Sequence, residues 1–294
     1  MNDYIIATAS TADLTPEYVS EHHIPFIPYT FTIDDVEYKD DLTPESRAEL
    51  YRMMRADKQP HTSAISVYAY HEFFKKLMDT GKDVLFTDMS RAISSSIENG
   101  QMAARQIQEE YPNQRIYFLD SFCITGGLNL FVKQLVQRHE DGMSYDDVIA
   151  WGEAHKKEYI HRFMVDDLKW LRRGGRLSNA SAIVGTLLSI KPLIYVANNG
   201  SLISFETVRG RKKCIKRLID TMKDDLADYS ADEEITIINS DCQSDAEAVR
   251  DEIRKVYPQL ANANITTMTL GPVIAAHCGP DFIAIIYHGK PRVM

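Results

Sequence analysis

Residues 83–111 read DVLFTDMSRAISSSIENGQMAARQIQEEY, and residues 116–119 read IYFL. Asp83–Thr87 is a short run rich in β-branched and aromatic residues, which suits a strand, whereas Ile97–Tyr111 carries the spacing of an amphipathic helix. Ile116–Leu119 repeats the strand signal and Gly127–His139 the helical one. Toward the N-terminus the same alternation appears as a strand over Tyr4–Thr8 followed by a helix near Thr15–His22. Short strands that alternate with helices predict a parallel sheet covered by helices, so the fold class is α/β.

Between these units, Pro25–Tyr38 reads as strand, Asp34-Asp35 turn, strand. Thr43-Pro44 sets a capping hydroxyl before a proline at the first helical position, starting a helix that runs to about Ala56. Glu140-Asp141-Gly142 is a polar break, and it divides the chain into an N-terminal α/β/α domain over 1–142 and a C-terminal α+β domain with a mixed sheet over 143–294. The second region predicts a helix from Ser144, a strand near Tyr159–Val165, and helices over Leu168–Arg173 and Ser181–Ser189. Pro192–Val196 and Leu202–Val208 flank Asn199-Gly200, a two-residue hairpin signal. A basic helix follows from Arg211 to about Ala227, then strands at Ile235–Asn239 and Ile265–Leu270 around a helix over Asp245–Tyr257. A short helix and a closing strand at Phe282–Tyr287 complete the pattern.

The 294 residues are 44% hydrophobic and 26% charged, the composition of a globular protein with a sizeable core. A net charge of −9 opposes a phosphate backbone and argues against nucleic-acid binding. The chain enters its first strand without a cationic, apolar leader, and no run is long enough to span a bilayer. Cys123, Cys214, Cys242 and Cys278 are scattered, as expected for reduced thiols in a cytoplasm. The nine histidines show no metal-ligand spacing, so no metal is expected.

Hydroxyl side chains cluster where the apolar runs end. Thr8-Ala9-Ser10-Thr11 follows the first strand, Ser90-Arg91-Ala92-Ile93-Ser94-Ser95-Ser96 the middle one, and Asp120-Ser121 the third. Thr62-Ser63-Ala64-Ile65-Ser66 precedes the helical pattern Tyr68–Met78. Loops at the carboxyl ends of parallel strands converge on the ligand crevice of an open sheet, and each opens a helix whose first N–H groups favour an anion. Any one of these serines suits a plain helix cap, but their clustering at several strand ends points to a binding site. Thr62, Ser63, Ser94 and Ser95 are the candidates, with Ser10 and Ser121 in support. Neither G-x-x-x-x-G-K-[ST] nor G-x-G-x-x-G occurs, which disfavours a polyphosphate. Neutral donors suit a single carboxylate, and His277, in a loop before the last strand, adds a further donor.

In order and spacing these segments resemble the DegV family of fatty-acid-binding proteins. The likeness comprises Ser10-Thr11-Ala12-Asp13-Leu14, Thr62-Ser63-x-x-Ser66, Ser90-x-x-Ile93-Ser94, Asp120-Ser121, Gly174-Gly175-Arg176, Ile190-Lys191-Pro192 and His277-x-Gly279-Pro280. It implies a long-chain fatty acid in a tunnel between two domains, its carboxylate on Thr62 and Ser94 and close to His277. It also implies a non-catalytic carrier that presents this carboxylate to a separate ATP-dependent fatty acid kinase, for conversion to acyl phosphate, and that touches a membrane transiently. The bound fatty acid would be the ligand, with no cofactor. The sequence departs from the family pattern at Ala9, where Asp is usual, at Ser95, where Gly is usual, and at Asp281, where Gly is usual and the side chain adds negative charge near the carboxylate.

Ile27, Phe31, Ile183, Leu187 and Leu188 are candidates for the apolar lining. Arg172-Arg173-Gly174-Gly175-Arg176 and Arg209-Gly210-Arg211-Lys212-Lys213 are the densest basic segments, and Arg176, Arg209 and Arg211 are candidates for the pocket mouth or for docking a kinase. The alternative function is a lipid esterase or thioesterase with a serine nucleophile, but no G-x-S-x-G elbow supports it.

Overall fold

In a computed structural model, residues 4–176, 190–226 and 234–292 are described. The first half runs β1 (Tyr4–Ala9), α1 (Pro16–Glu21), β2 (Phe26–Ile27), β3 (Thr30–Ile33), β4 (Val36–Lys39), α2 (Pro44–Arg55), β5 (His61–Ser63), α3 (Val67–Met78), β6 (Asp83–Asp88), α4 (Ser96–Glu110), β7 (Ile116–Asp120) and α5 (Thr125–Glu140). The second half runs α6 (Tyr145–His155), β8 (Tyr159–Met164), α7 (Leu168–Gly174), β9 (Ile190–Val196), β10 (Leu202–Arg209), α8 (Arg211–Asp220), β11 (Glu234–Asn239), α9 (Gln243–Val256), β12 (Asn264–Thr269), α10 (Pro272–Cys278) and β13 (Ile283–His288).

The architecture is α/β, with a parallel sheet ordered β2-β1-β6-β7 and a mixed sheet ordered β10-β9-β8-β13-β11-β12, in which only β11 and β12 pair in parallel. A third, antiparallel sheet, β4-β3-β5, contains the expected strand, Asp34-Asp35 turn and strand as β3 and β4, over a shorter stretch than Pro25–Tyr38. Phe26–Ile27 joins the parallel sheet, and only the later residues form the hairpin. Its turn residues Asp34 and Asp35 both have positive φ, 50° and 64°, the twist that a two-residue hairpin needs. The basic helix expected to reach Ala227 ends at Asp220 and continues as one 3-10 turn over Thr221–Asp224; Ala227 lies outside the described residues. The helix expected over Ser181–Ser189 also lies outside them.

Helix α5 joins the halves. Its residues are buried from Thr125 through Val132, and it packs on β1 as well as on β8 and β13. Gly126 and Gly127 allow that approach: a Cβ at Gly126 would meet Ile238 at 2.6 Å, and one at Gly127 would meet Nε2 of buried His161 at 2.0 Å. The polar break at 140–142 falls between α5 and α6, and α6 lies against β6 and β7 of the first sheet. One cluster of buried side chains extends from Tyr4 to Ile286, so the core passes from one half into the other.

Helix α2 ties the halves from outside. Arg47, Tyr51 and Arg55, four residues apart and so on one helix face, all reach the second half. Arg47 Nη1 donates to the Thr269 carbonyl at 2.7 Å, and Tyr51 Oη to the Leu270 carbonyl at 2.7 Å. Arg55 donates to Asp241 at 2.9 Å and to both carboxylate oxygens of Asp281 at 2.6 and 2.8 Å.

Candidate functional site

The hydroxyl-bearing loops are brought together by their own side chains. Ser96, the first residue of α4, is buried and accepts the Ile65 N–H at 3.0 Å, while Asn99 Nδ2 donates to the Ile65 carbonyl at 2.8 Å. These bonds staple the loop after β5 to the start of α4. Ser66 is the N-cap of α3, its Oγ accepting from Ala69 N at 3.1 Å. Thr62 sits on the antiparallel strand β5, opposite Phe31, rather than at the end of a parallel strand.

Thr62, Ser63, Ser94, Ser95 and His277 line one cavity, together with Tyr29. Thr62 Oγ1 and His277 Nε2 share a hydrogen bond of 2.8 Å. His277 is in the last turn of α10, which corrects its expected place in a loop. Burial, then Arg176 and His61, push its pKa down to about 4, so the imidazole is neutral at neutral pH and serves as a hydrogen-bond group. Its Nδ1 is buried without a hydrogen-bond partner, and a Cβ at Gly174 would lie 2.1 Å from that atom. Gly174 is therefore required by close approach. Gly175, at φ 65°, ends α7 in the left-handed conformation and turns the chain so that Arg176 Nε reaches the Ile93 carbonyl at 3.3 Å.

A second, apolar cavity adjoins the first, with walls that include Ile124, Phe163, Leu171, Phe282 and Ile286. It holds about 480 Å³ of space, counting its opening to solvent, and the hydroxyl-lined cavity about 370 Å³. Ile93, Arg176, Ile274 and His277 border both. Hydroxyls at one end and hydrocarbon at the other match a ligand with a small polar head and an apolar tail.

The other sequence candidates stand elsewhere. Ser10 Oγ accepts the Tyr29 N–H at 3.1 Å, and Ser121 Oγ donates to the Asp88 carbonyl at 2.7 Å, so both brace the cavity's surroundings without lining it. Arg209 is exposed at the end of β10. Arg211 is engaged by Asp245 at 2.7 Å, Asp166 at 3.3 Å and the Asp281 carbonyl at 2.5 Å, and it borders neither cavity. Ile27 and Phe31 are buried core residues that line neither cavity, and Ile183, Leu187 and Leu188 lie outside the described residues.

Sequence reasoning missed Tyr29 and Asp88. Asp88 is fully buried at the end of β6 and accepts from Thr11 Oγ1, Tyr29 Oη, Tyr70 Oη and Met89 N at 2.9, 2.9, 2.7 and 2.6 Å. Its signal was the aspartate that ends the apolar run VLFTD, as Asp120 ends IYFLD. Among the described residues no group of three or more His, Cys, Asp or Glu could hold a metal ion, and no helix is long and apolar enough to cross a membrane. His277, the histidine at the site, bonds a threonine, and its other nitrogen meets no carboxylate, so these residues do not assemble a hydrolase triad.

The sequence profile of the DegV family matches residues 4–290. The chain belongs to the DegV family. A DegV domain-containing protein of Clostridium perfringens is 33% identical over 296 residues, covering 99% of each chain. Among solved structures, a DegV lipid-binding protein of Thermotoga maritima shares the fold, with a TM-score of 0.85 and 24% identity over the whole of both chains. A fatty-acid-binding DegV family protein of Streptococcus agalactiae is 27% identical, with a TM-score of 0.84 over 99% of this chain and 100% of that one.

The departures from the DegV pattern have local explanations. Ser95 has φ −72°, an ordinary right-handed value, so a side chain there is unstrained. Asp281 has φ 65°, where glycine is favoured. Its charge does not face the hydroxyl-lined cavity, contrary to expectation: it borders neither cavity, and Arg55 holds both its oxygens. Ala9 is buried in the core beside its strand partner Ile27.

Proposed function

We infer that this DegV protein binds a long-chain fatty acid in the two adjoining cavities, with the carboxylate among Thr62, Ser63, Ser94, Ser95 and His277. The observation that carries this reading is the junction of the hydroxyl-lined and apolar cavities at Ile93, Arg176, Ile274 and His277. Burying about 14 methylenes at roughly 0.8 kcal/mol each gives about 11 kcal/mol, before ordering and association are subtracted. The tail supplies affinity, and the donors orient the head, whose charge must be hydrogen-bonded once buried.

The carrier then presents the carboxylate, at the exposed edge formed by Ser63, Ser95 and Arg176, to a separate ATP-dependent kinase for conversion to acyl phosphate. This work takes place in the cytoplasm, where its four free thiols stay reduced, with transient membrane contact to exchange lipid. Denaturing extraction and mass spectrometry of the purified protein should release a fatty acid, and delipidated protein should take up oleate. Ser94→Ala should weaken oleate binding by about 1–3 kcal/mol. Protein that is consistently empty and also refuses oleate and palmitate would overturn the reading. With oleate at saturating concentration, Arg176→Glu should slow phosphorylation of the bound fatty acid by the cognate kinase, and an unimpaired rate would remove Arg176 from docking.

A further inference from the structure

We propose that Asp281, through its two-pronged ion pair with Arg55, is a positioning residue for ligand binding: it ties the far end of α10 to α2 and thereby seats Ile274 and His277 at the junction of the two cavities. The inference rests on the fatty-acid reading above and concerns what holds one wall of that site in place.

Helix α10 has seven residues, too few to define its own position, so the groups that hold its ends decide where it lies. Yet it supplies much of the site. Val273, Ile274 and His277 border the hydroxyl-lined cavity, and Ile274, His277 and Cys278 the apolar one. Tyr29, Thr62 and Ser94 of the first half line the same hydroxyl-lined cavity, and the 2.8 Å bond from Thr62 to His277 joins the two halves there. The width of that cavity therefore depends on how closely α10 approaches the first half.

Both ends of α10 are gripped by α2. Before the helix, Arg47 and Tyr51 donate to the Thr269 and Leu270 carbonyls, each at 2.7 Å. After it, Arg55 Nη1 and Nη2 donate to the two Asp281 carboxylate oxygens at 2.6 and 2.8 Å. The Asp281 backbone is tied within the second half, its N–H to the Ser240 carbonyl at 2.8 Å and its carbonyl to Arg211 at 2.5 Å. Its carboxylate is what crosses to the first half.

The conformation of Asp281 carries the argument further. Its φ of 65° lies in the left-handed region that favours glycine, so an aspartate there carries a backbone cost that glycine would not. The carboxylate is what glycine lacks, and Arg55 engages both its oxygens. A scattered surface ion pair contributes little, but this one joins a strained corner of one half to a helix of the other. Cutting it frees the end of α10, and a protein whose wall is seated only part of the time binds in proportion to that fraction.

Delipidated full-length protein titrated with oleate tests this. Asp281→Asn removes the charge and keeps a side chain that tolerates the left-handed region. Its affinity should fall about threefold, with about fivefold as the ceiling for an ion pair this exposed. Arg55→Met should fall at least as far, and adding Asp281→Asn to it should change nothing more. Arg55→Lys keeps the charge without the fork and should lie between Arg55→Met and wild type. Asp241→Asn takes the other carboxylate from the same guanidinium but leaves α10 tied, so it should bind as wild type does. Salt supplies a readout that a general loss of stability would not move: from about 0.02 to about 0.5 M NaCl the wild-type affinity should drop toward that of Asp281→Asn, whose own should change less. Should Asp281→Asn not fold, Arg55→Lys against Asp241→Asn decides in its place. Wild-type affinity in folded Asp281→Asn, an equal fall in Asp241→Asn, or parallel salt slopes overturns the positioning role while oleate binding by wild type stands. Wild type that refuses oleate overturns the fatty-acid reading and this inference together.

Discussion

Two acidic centres are shut away from solvent beside the site, and they are satisfied differently. Asp88 has four donors on its two oxygens. Asp13 and Asp40 share a single guanidinium, that of Arg47, whose Nη2 stays 3.9 Å from Asp13 Oδ1. Arg47 Nε and Nη2 and Asp40 Oδ2 have no hydrogen-bond partner, and burial together with the Asp13 charge pushes the Asp40 pKa up to about 7. The first centre lies within the first half and braces the head-group loops. The second sits where α2 grips the second half through Thr269, so the tie between the halves contains an incompletely bonded charge cluster. A saturated acid makes a rigid support, whereas an unsaturated one makes a contact that protons can alter.

The sharpest way to break this contrast is Arg47→Leu. Removing the one cation leaves Asp13 and Asp40 buried and unpaired, and denaturant unfolding should show a loss of about 3–5 kcal/mol. A loss under about 1 kcal/mol would mean that the guanidinium does not hold the cluster.

Asp40→Asn tests the proton dependence. The unfolded chain releases the Asp40 proton near pH 4 and the folded chain near pH 7, so between these values the folded state holds the extra proton. That contribution to stability is full below pH 4 and is lost as pH rises to 7 and beyond. The variant should therefore gain on wild type as pH rises, by up to about 4 kcal/mol at pH 8. His161 and His277, whose pKa values are pushed down to about 3 and about 4, act in the opposite sense, because below pH 6.5 the unfolded chain takes up their protons first. Comparing variant with wild type at each pH cancels their share. The smallest effect belongs to Asp88: Thr11→Val removes one of its four donors and should cost about 1 kcal/mol. A loss of about 3 kcal/mol or more there would erase the distinction between the centres.

How much of this was legible in the sequence follows from the range of the interactions. The parallel strands and the hydroxyls at their ends are local signals, and Thr62, Ser63, Ser94 and Ser95 come together in one cavity. The strand His61–Ser63 is too short to show alternation, so its pairing with the hairpin read within Pro25–Tyr38 was invisible. The helix from Arg211 was drawn too long because Leu218 and Met222 keep helical spacing through the 3-10 turn, where Thr221 Oγ1 bonds the Leu218 carbonyl. Tyr29, Asp88 and the Arg47 cluster depend on partners tens to hundreds of positions away, and no single sequence displays such pairings. Asp281 was misjudged for the same reason, since the Arg55 that neutralises it is 226 positions distant.

The central claim is a place for a head and a place for a tail, and a crystal structure of the protein grown with oleate examines both at once. The account requires the carboxylate within hydrogen-bond distance of Thr62 Oγ1 and Ser94 Oγ, with the chain running past Ile93 and Ile274 toward Phe163 and Phe282. Oleate seated elsewhere, or reversed so that its methyl end meets Thr62, would contradict it.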